Sequence, residues 1–182
     1  MTEDDSAAIA ELLAFWREAG AERWFAKDDA FDRLFRERFL ERHEAAAGGL
    51  DGWAETAEGA LALMLLLDQF PRNAFRGTAR MYATDPLARR LAARALAAGH
   101  DRRIEADLRV FLYLPFSHSE AIADQRRAVE LFRQLGPENE SHARRHHDIV
   151  ARFGRFPHRN PILGRATTAE EQRFLDGGGF AG

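Results

Sequence analysis

The apolar run from Ala60 to Leu67 constrains the fold of this chain more than any other feature. A helix over these residues is apolar on every side, so other elements must surround it. The run is also far shorter than the roughly 20 residues that span a bilayer. It therefore predicts a helix over about 54–70 at the centre of a helical bundle, ended by Pro71.

Helical spacing of apolar residues recurs along the rest of the chain, and no segment shows the alternation of a strand. We predict an all-α fold of at least seven helices without a sheet, arranged as antiparallel helical hairpins. Asp28 or Asp29 is expected to cap one of them. Other predicted helices cover about 6–19, 86–98, 104–112, 118–135 and 138–153.

Two capping-box patterns mark further helix starts. Ser117-x-x-Glu120 predicts that Glu120 binds back to the Ser117 amide, which places His118 in the first helical turn. Thr167-x-x-Glu170 predicts the start of a short last helix.

Composition excludes several classes of protein. The chain contains no cysteine, which excludes disulfides, thiolate catalysis and cysteine-ligated zinc. A net charge of −3 argues against a general nucleic-acid binder. The acidic N-terminus lacks a signal-peptide pattern, so we expect a cytoplasmic protein without a membrane segment. One domain over 1–176, a flexible Gly-rich tail over 177–182 and no cofactor complete these expectations.

Two segments, 70–77 and 156–165, share a Phe-Pro pair, an Arg-Asn pair and a later Gly/Arg pair. This echo predicts two related loops at helix exits. Around the first, Asp68, Arg72, Asn73 and Arg76 form a candidate anion site in which guanidinium groups hold the anion. The alternative is structural, because Arg and Asn side chains often satisfy carbonyls at a helix end.

Residues 155–165, which include the second segment, contain Arg155, His158, Arg159, Asn160 and Arg165. A histidine among arginines is typical of phosphate or carboxylate binding, and it titrates near neutral pH. The alternative is a polar buckle that ties the last helix to the bundle.

His118 and His158 are candidate acid/base groups, with Glu120 orienting His118. Helix capping is the competing role for Glu120. His142 and His146 could ligate a metal at helical spacing with Glu138, but no third convergent ligand is evident. We therefore favour a solvated helix face and expect no bound metal.

Several motifs are long enough to be specific: LDQFPRN (67–73), FRG (75–77), YLPFSHSE (113–120) and RFGRFPHRN (152–160). They resemble the bacterial domain-of-unknown-function 924 family, and Phe15-Trp16, Trp24-Phe25 and Phe31-Asp32 also fit it. The resemblance covers nearly the whole chain. It implies an α-helical fold of the tetratricopeptide-like superfamily and brings no established activity with it.

The leading functional hypothesis is binding. The two echoing segments and His118 would converge in one Arg/Asn/His pocket for a small anionic ligand or an acidic peptide terminus. In an enzyme alternative, His118 or His158 acts as acid/base on a phosphate- or carboxylate-bearing substrate. In a third, both segments are structural and the protein is a scaffold for another protein. An open cleft would favour the first two, and a closed, hydrogen-bonded cluster the third.

Overall fold

The computed structural model describes residues 2–180, with Asp51 described by its backbone alone. Regular structure in that part of the chain is helical, without a strand, so the all-α class is confirmed and the minimum of seven helices is exceeded. The α-helices are α1 (Glu3–Ala19), α2 (Ala21–Trp24), α3 (Asp29–Gly49), α4 (Ala57–Met64), α5 (Phe70–Ala74), α6 (Asp85–Ala97), α7 (Val110–Ser117), α8 (Ile122–Arg133), α9 (Pro137–Phe153) and α10 (Ala169–Asp176). Short 3₁₀ turns cover Asp51–Glu55, Ala79–Tyr82, His100–Arg103 and Pro157–Arg159. Among residues 2–180, no helix has the length and apolarity needed to cross a membrane.

Packing divides the chain into two compact units. The N-terminal unit holds residues 2–76 and 80–115, and the C-terminal unit holds 77–79 and 116–180. The chain passes from the first to the second near the end of α7. One domain over 1–176 with a tail from 177 stays a prediction, and the last two residues of that tail lie outside the described part.

The apolar run lies at the centre of the N-terminal unit, where α4 contacts α1 and α6. Every residue from Ala60 to Leu67 is at most 1% exposed, as the run predicts. Aromatic rings pack around Trp16 of α1, whose ring lies 5.4 Å from that of Phe35 and 5.3 Å from that of Phe111. Asp28 caps α3 by accepting two backbone amides, which confirms one of the two proposed caps.

The expectation that Pro71 ends the central helix is wrong, because the helix continues through one π-helical turn (Leu65–Gln69) into α5. Proline lacks an amide hydrogen, and its ring crowds the carbonyl four residues back, here that of Leu67. In the wide turn the Phe70 amide bonds to the carbonyl five residues back. The Leu67 carbonyl accepts the Thr84 hydroxyl at 2.6 Å, which supplies the hydrogen bond that Pro71 cannot.

The helix predicted over 104–112 is also wrong in position, since α7 begins only at Val110. Residues before it form successive turns. The Asp107 carboxylate accepts the Leu108 amide at 3.1 Å, and such a local bond competes with the helical hydrogen bonds. α7 then runs past Pro115 to Ser117.

The capping box predicted at Ser117 does not form. Ser117 is the last residue of α7 and α8 begins at Ile122, so His118 lies in the connecting turn and not at a helix start. The Ser119 hydroxyl accepts the Ala121 amide at 3.1 Å in this turn. Glu120 is consequently available for a different role.

The capping box predicted at Thr167 forms one residue later. Thr168 and Glu171 cap α10, each accepting a hydrogen bond from the other's backbone amide. Adjacent threonines and adjacent glutamates make both registers possible in sequence. The long-range partners of Glu171, namely Arg155 and Asn160, select the observed register.

The two echoing segments adopt different structures, so they are not equivalent helix exits as predicted. Residues 70–74 lie inside the central helix, whereas Pro157–Arg159 is a 3₁₀ turn that follows α9. α9 is closed by Gly154 in the left-handed conformation, with φ of 70°, before its Phe-Pro pair begins.

The C-terminal unit is built on the contact between α8 and α9. Its core contains Ile149, Val150 and Phe156. Half-buried apolar side chains pack against that core: Ile122, Phe153, Phe174 and Phe180.

We expect Leu66→Ala to lower the free energy of unfolding by about 2–5 kcal/mol, because it removes buried methyl groups and leaves a cavity. Leu66 is 0% exposed, whereas Leu34 on α3 is 46% exposed and provides a Leu→Ala control that should cost under about 1 kcal/mol. Chemical denaturation measures both changes. Equal, small losses in the two variants would contradict a central position for this helix.

Candidate functional site

The candidate residues fall into two groups, one in each unit. Asp68, Arg72, Asn73 and Arg76 lie in the N-terminal unit. The others, His118, Glu120, Arg155, His158, Arg159 and Asn160, lie in the C-terminal unit. Their convergence on one pocket stays a prediction.

Arg72 is held between two carboxylates. Its Nη1 and Nη2 donate to the two oxygens of Asp85 at 2.8 and 3.0 Å, and Nη1 also lies 3.3 Å from Asp68 Oδ1. Burial disfavours the charged guanidinium, but Asp68 and Asp85 outweigh it and raise the pKa of Arg72. Nη1 also donates to the Asp68 carbonyl at 2.8 Å, in the π turn. These contacts favour a structural role for Arg72.

Asp32 of α3 binds the other two residues of this group. Its carboxylate accepts Asn73 Nδ2 at 2.6 Å, and Arg76 Nε and Nη2 at 2.5 and 3.2 Å. Sequence reasoning missed Asp32, although a signal was available. Asp32 shares the buried stripe of α3 with Phe35 and Phe39, where a carboxylate requires a partner.

Glu171 of α10 is the corresponding centre in the C-terminal unit. Its two oxygens accept Arg155 Nε and Nη2 at 2.6 and 2.9 Å, and Asn160 Nδ2 at 3.2 Å. The hydrogen bonds from Arg155 are the main cause that lowers the pKa of Glu171 to about 2. Arg155 and Asn160 therefore tie the 154–165 segment to α10, as the polar-buckle alternative predicts.

Glu120 makes a second tie to the same segment. It accepts the Phe156 amide at 2.8 Å, and Arg165 Nη1 and Nη2 at 2.6 and 3.0 Å. Burial would raise the pKa of Glu120, but the Arg165 and Phe156 hydrogen bonds outweigh it, and the pKa is lowered. A two-pronged guanidinium contact is stronger than one backbone amide, which explains why Glu120 is not a helix cap. The role of Glu120 in orienting His118 stays a prediction.

The C-terminal unit also holds the remaining candidates, His118, His158 and Arg159, together with two histidines of α9, His142 and His146. We call His118, His142, His146 and His158 the imidazole cluster. The rings of His142 and His146 are 4.5 Å apart between centroids, and those of His146 and His158 lie 5.6 and 5.7 Å from the Phe156 ring. The Arg159 guanidinium stacks 4.5 Å from the centre of the same ring.

Charge links three members of the imidazole cluster, His118, His142 and His146. Burial is the main cause that lowers the pKa of His146 to about 3, and His142, His118 and Arg159 lower it further. Burial also lowers the pKa of His142, with Arg145 and His118 adding to the effect. The cluster is therefore a positive environment that disfavours additional protons.

The loop that carries His118 is held on both sides. Gln125 Nε2 donates to the carbonyls of Ser117 and Ser119 at 2.7 and 2.6 Å. Arg159 Nη1 donates to the His118 carbonyl between them at 3.0 Å. Three successive carbonyls are thus fixed by side chains, which positions the His118 ring from its backbone.

The α9 histidines do not form a metal centre with Glu138 in this arrangement. His146 Nδ1 donates to the His142 carbonyl at 3.0 Å, which is an intrahelical contact. Within residues 2–180, no group of three or more His, Asp or Glu side chains has the geometry of a metal site.

A cavity of about 930 Å³ lies elsewhere, in the N-terminal unit. It is lined by Glu11 of α1 and by charged side chains of both signs from the 33–45 part of α3. None of the candidate residues lines it, so it does not support the predicted pocket.

Comparison with known proteins identifies the family. The model of a family described as "Bacterial protein of unknown function (DUF924)" matches residues 12–179, and the chain belongs to this family. It is similar to a solved structure of a protein of unknown function, ATU0120, from Agrobacterium tumefaciens. The two share 59% identity with a TM-score of 0.92, over 94% of this chain and 98% of that chain. No curated protein matches the chain significantly.

We expect Glu171→Gln to lower the melting temperature by at least about 3 °C, because it removes the charge that Arg155 and Asn160 bind. The control is Glu170→Gln, since Glu170 is 55% exposed and pairs with Arg152 on the surface. That change should shift the melting temperature by less than about 1 °C. A similar shift in both variants would mean that the Glu171 network contributes nothing specific.

His146 should make the protein sensitive to mild acid. Its pKa falls from an ordinary 6.5 to about 3 on folding, so below pH 6.5 the unfolded chain binds a proton that the native state does not. As the pH decreases below 6.5, this group therefore lowers the free energy of unfolding by up to about 1.4 kcal/mol per pH unit. Between pH 6.5 and 5, His146→Gln should show a shallower dependence of unfolding free energy on pH. An unchanged slope would contradict the inferred neutral state of His146.

Proposed function

We propose that this protein binds a small anionic ligand at the imidazole cluster, next to Arg159. The proposal narrows the predicted Arg/Asn/His pocket to one unit. Its main support is the grouping of cationic and imidazole side chains in the C-terminal unit, where His118 and Arg159 lower the pKa of His146 and the Arg159 guanidinium and His158 ring both lie on the Phe156 ring. The carboxylate networks include seven of the candidates: Asp68, Arg72, Asn73, Arg76, Glu120, Arg155 and Asn160.

The other three, His118, His158 and Arg159, share their surroundings with His142 and His146. Imidazole N–H groups and a guanidinium are the donors that proteins use for phosphate and carboxylate. Burial is the main cause of the lowered pKa of His142 and of His146, and an anion bound there would offset the smaller contribution from neighbouring positive charge. Binding and protonation of the cluster would then favour each other.

The clamp on the His118 loop also supports a binding role. Gln125 and Arg159 fix the backbone on either side of this ring. A side chain positioned in advance loses less conformational freedom when a ligand binds. His118 itself is half-buried, not fully enclosed.

The enzyme alternative uses the same residues, with His118 or His158 as the acid/base. The scaffold alternative draws support from the closed arginine–carboxylate networks, which resemble structural ties more than open sites. The two alternatives differ from the proposal in a simple way. An enzyme would turn over a phosphate- or carboxylate-bearing compound, and a scaffold would not respond to small anions at all.

A thermal-shift titration with inorganic phosphate tests the proposal, using chloride at matched ionic strength as reference. We expect wild type to be stabilised specifically by phosphate, by about 2.7 kcal/mol at a hundredfold excess over the dissociation constant. His118→Gln and His158→Gln should at least halve this shift while retaining the wild-type melting temperature in chloride.

The matched control is Arg23→Ala, which removes a positive charge that is 60% exposed on α2. It should leave the phosphate-dependent shift intact, because only general electrostatics would depend on it. A wild-type shift no larger than that in chloride would refute the proposal.

A further inference from the structure

We infer that the position of the Phe180 ring is an aromatic subsite of the same anion site, and that Phe180 fills it as a plug which a ligand displaces. This inference rests on the proposed function. It adds a substrate class, namely anions attached to an aromatic ring, such as aryl phosphates and aryl carboxylates.

The ring of Phe180 lies directly on the imidazole cluster. Its centroid is 4.6 Å from that of His146 and 5.2 Å from that of His158, with interplanar angles of 62° and 79°. These edge-on contacts are the geometry that aromatic pairs prefer. The side chain also packs on the core formed by Ile149, Val150 and Phe156. The seat therefore has an apolar floor and two imidazole walls.

Two glycines direct the chain to this seat. Gly178 adopts φ of +79°, which side chains other than glycine rarely allow. A Cβ at Gly179 would lie 2.5 Å from the Phe174 ring and 2.6 Å from the Phe174 carbonyl, so no larger residue fits there. These two glycines set the direction of the backbone that leads to Phe180.

Phe180 follows three glycines and keeps part of its surface exposed. The last backbone hydrogen bond before it joins the Gly179 amide to the Phe174 carbonyl at 2.9 Å. The Phe180 ring is half-buried and packs on the core of this unit. A ring on such a tether can leave its seat without disturbing α10.

The surroundings of the seat determine which ligand fits. His146 presents a neutral ring, because burial holds its pKa well below neutral pH, and its Nδ1 donates to the His142 carbonyl. Arg159 and His118 stand next to it and supply the positive side of the site. A ligand with a planar ring at one end and a phosphate or carboxylate at the other matches both halves.

The test compares phenyl phosphate with inorganic phosphate by isothermal titration calorimetry, on wild type and Phe180→Ala. The apparent affinity for phenyl phosphate equals the intrinsic affinity multiplied by the fraction of molecules in which the seat is open. If the plug is seated in about nine molecules of ten, Phe180→Ala should bind phenyl phosphate about tenfold more tightly. Its affinity for inorganic phosphate should change by less than about twofold, because phosphate alone does not need the seat.

The matched control is Phe25→Ala, which removes a ring that is 63% exposed and belongs to the N-terminal unit. It should leave both affinities at wild-type values. A second variant, Gly179→Ala, retains Phe180 but misdirects it, and should shift phenyl phosphate affinity in the same direction as Phe180→Ala. If Phe180→Ala fails to fold, Gly179→Ala decides the question.

The outcomes separate the two proposals. Phosphate binding by wild type, with no gain for phenyl phosphate in Phe180→Ala and Gly179→Ala, overturns the aromatic subsite and leaves the anion site standing. A loss of phenyl phosphate affinity in those variants makes Phe180 part of the binding surface, which overturns the plug. Absence of binding by either probe in every variant removes the anion site and this inference with it.

Discussion

A helix that is apolar on every side leaves its own backbone as the only polar surface to be satisfied. In the N-terminal unit this problem concentrates at the π turn, where several carbonyls lose their usual intrahelical donors. Three side chains replace those donors: His43 contacts the Leu66 carbonyl at 2.8 Å, Thr84 binds that of Leu67, and Arg72 binds that of Asp68. Each donor comes with its own requirements. Arg72 in turn needs Asp85, and the burial of His43 lowers its pKa and keeps its ring neutral.

Carboxylates, more than arginines, organise the polar interior of both units. Asp32 and Glu171 each accept an arginine and an asparagine, and in each case the arginine uses its Nε together with one Nη. The planar guanidinium fork fixes the direction of approach as well as the charge. Compared with well-packed apolar residues, such pairs add little to stability, but removing one partner leaves a charge buried without compensation. These pairs determine which segments of the chain lie together. This structural role distinguishes them from the imidazole cluster, to which we assign binding.

The parts of the structure that the sequence predicted are those that local patterns determine. Burial of Ala60–Leu67 follows from the absence of any polar face, and the Asp28 cap follows from its position before an apolar stripe. Glu120 was misassigned because its partners lie 36 and 45 residues away in the chain, beyond any local pattern. The prediction that Pro71 ends the helix failed for a similar reason. The hydroxyl that replaces its missing amide as donor to the Leu67 carbonyl belongs to Thr84, 13 residues further along the chain. The arginines of the candidate site were recognised as important, but the carboxylates that bind them could not be paired from spacing alone.

The π turn also has a consequence for the angular phase of the helix that contains it. Each α-helical residue advances about 100° around the axis, so one additional residue in a turn rotates everything that follows by that amount. The side chains of α5 are therefore aimed in directions that an uninterrupted helix of the same composition would not reach. The number of residues in the Leu65–Gln69 turn therefore fixes the direction in which every later side chain of the helix points. Substitution there changes one side chain, whereas gain or loss of one residue would re-aim Arg72 and Asn73 together and separate both from their carboxylates.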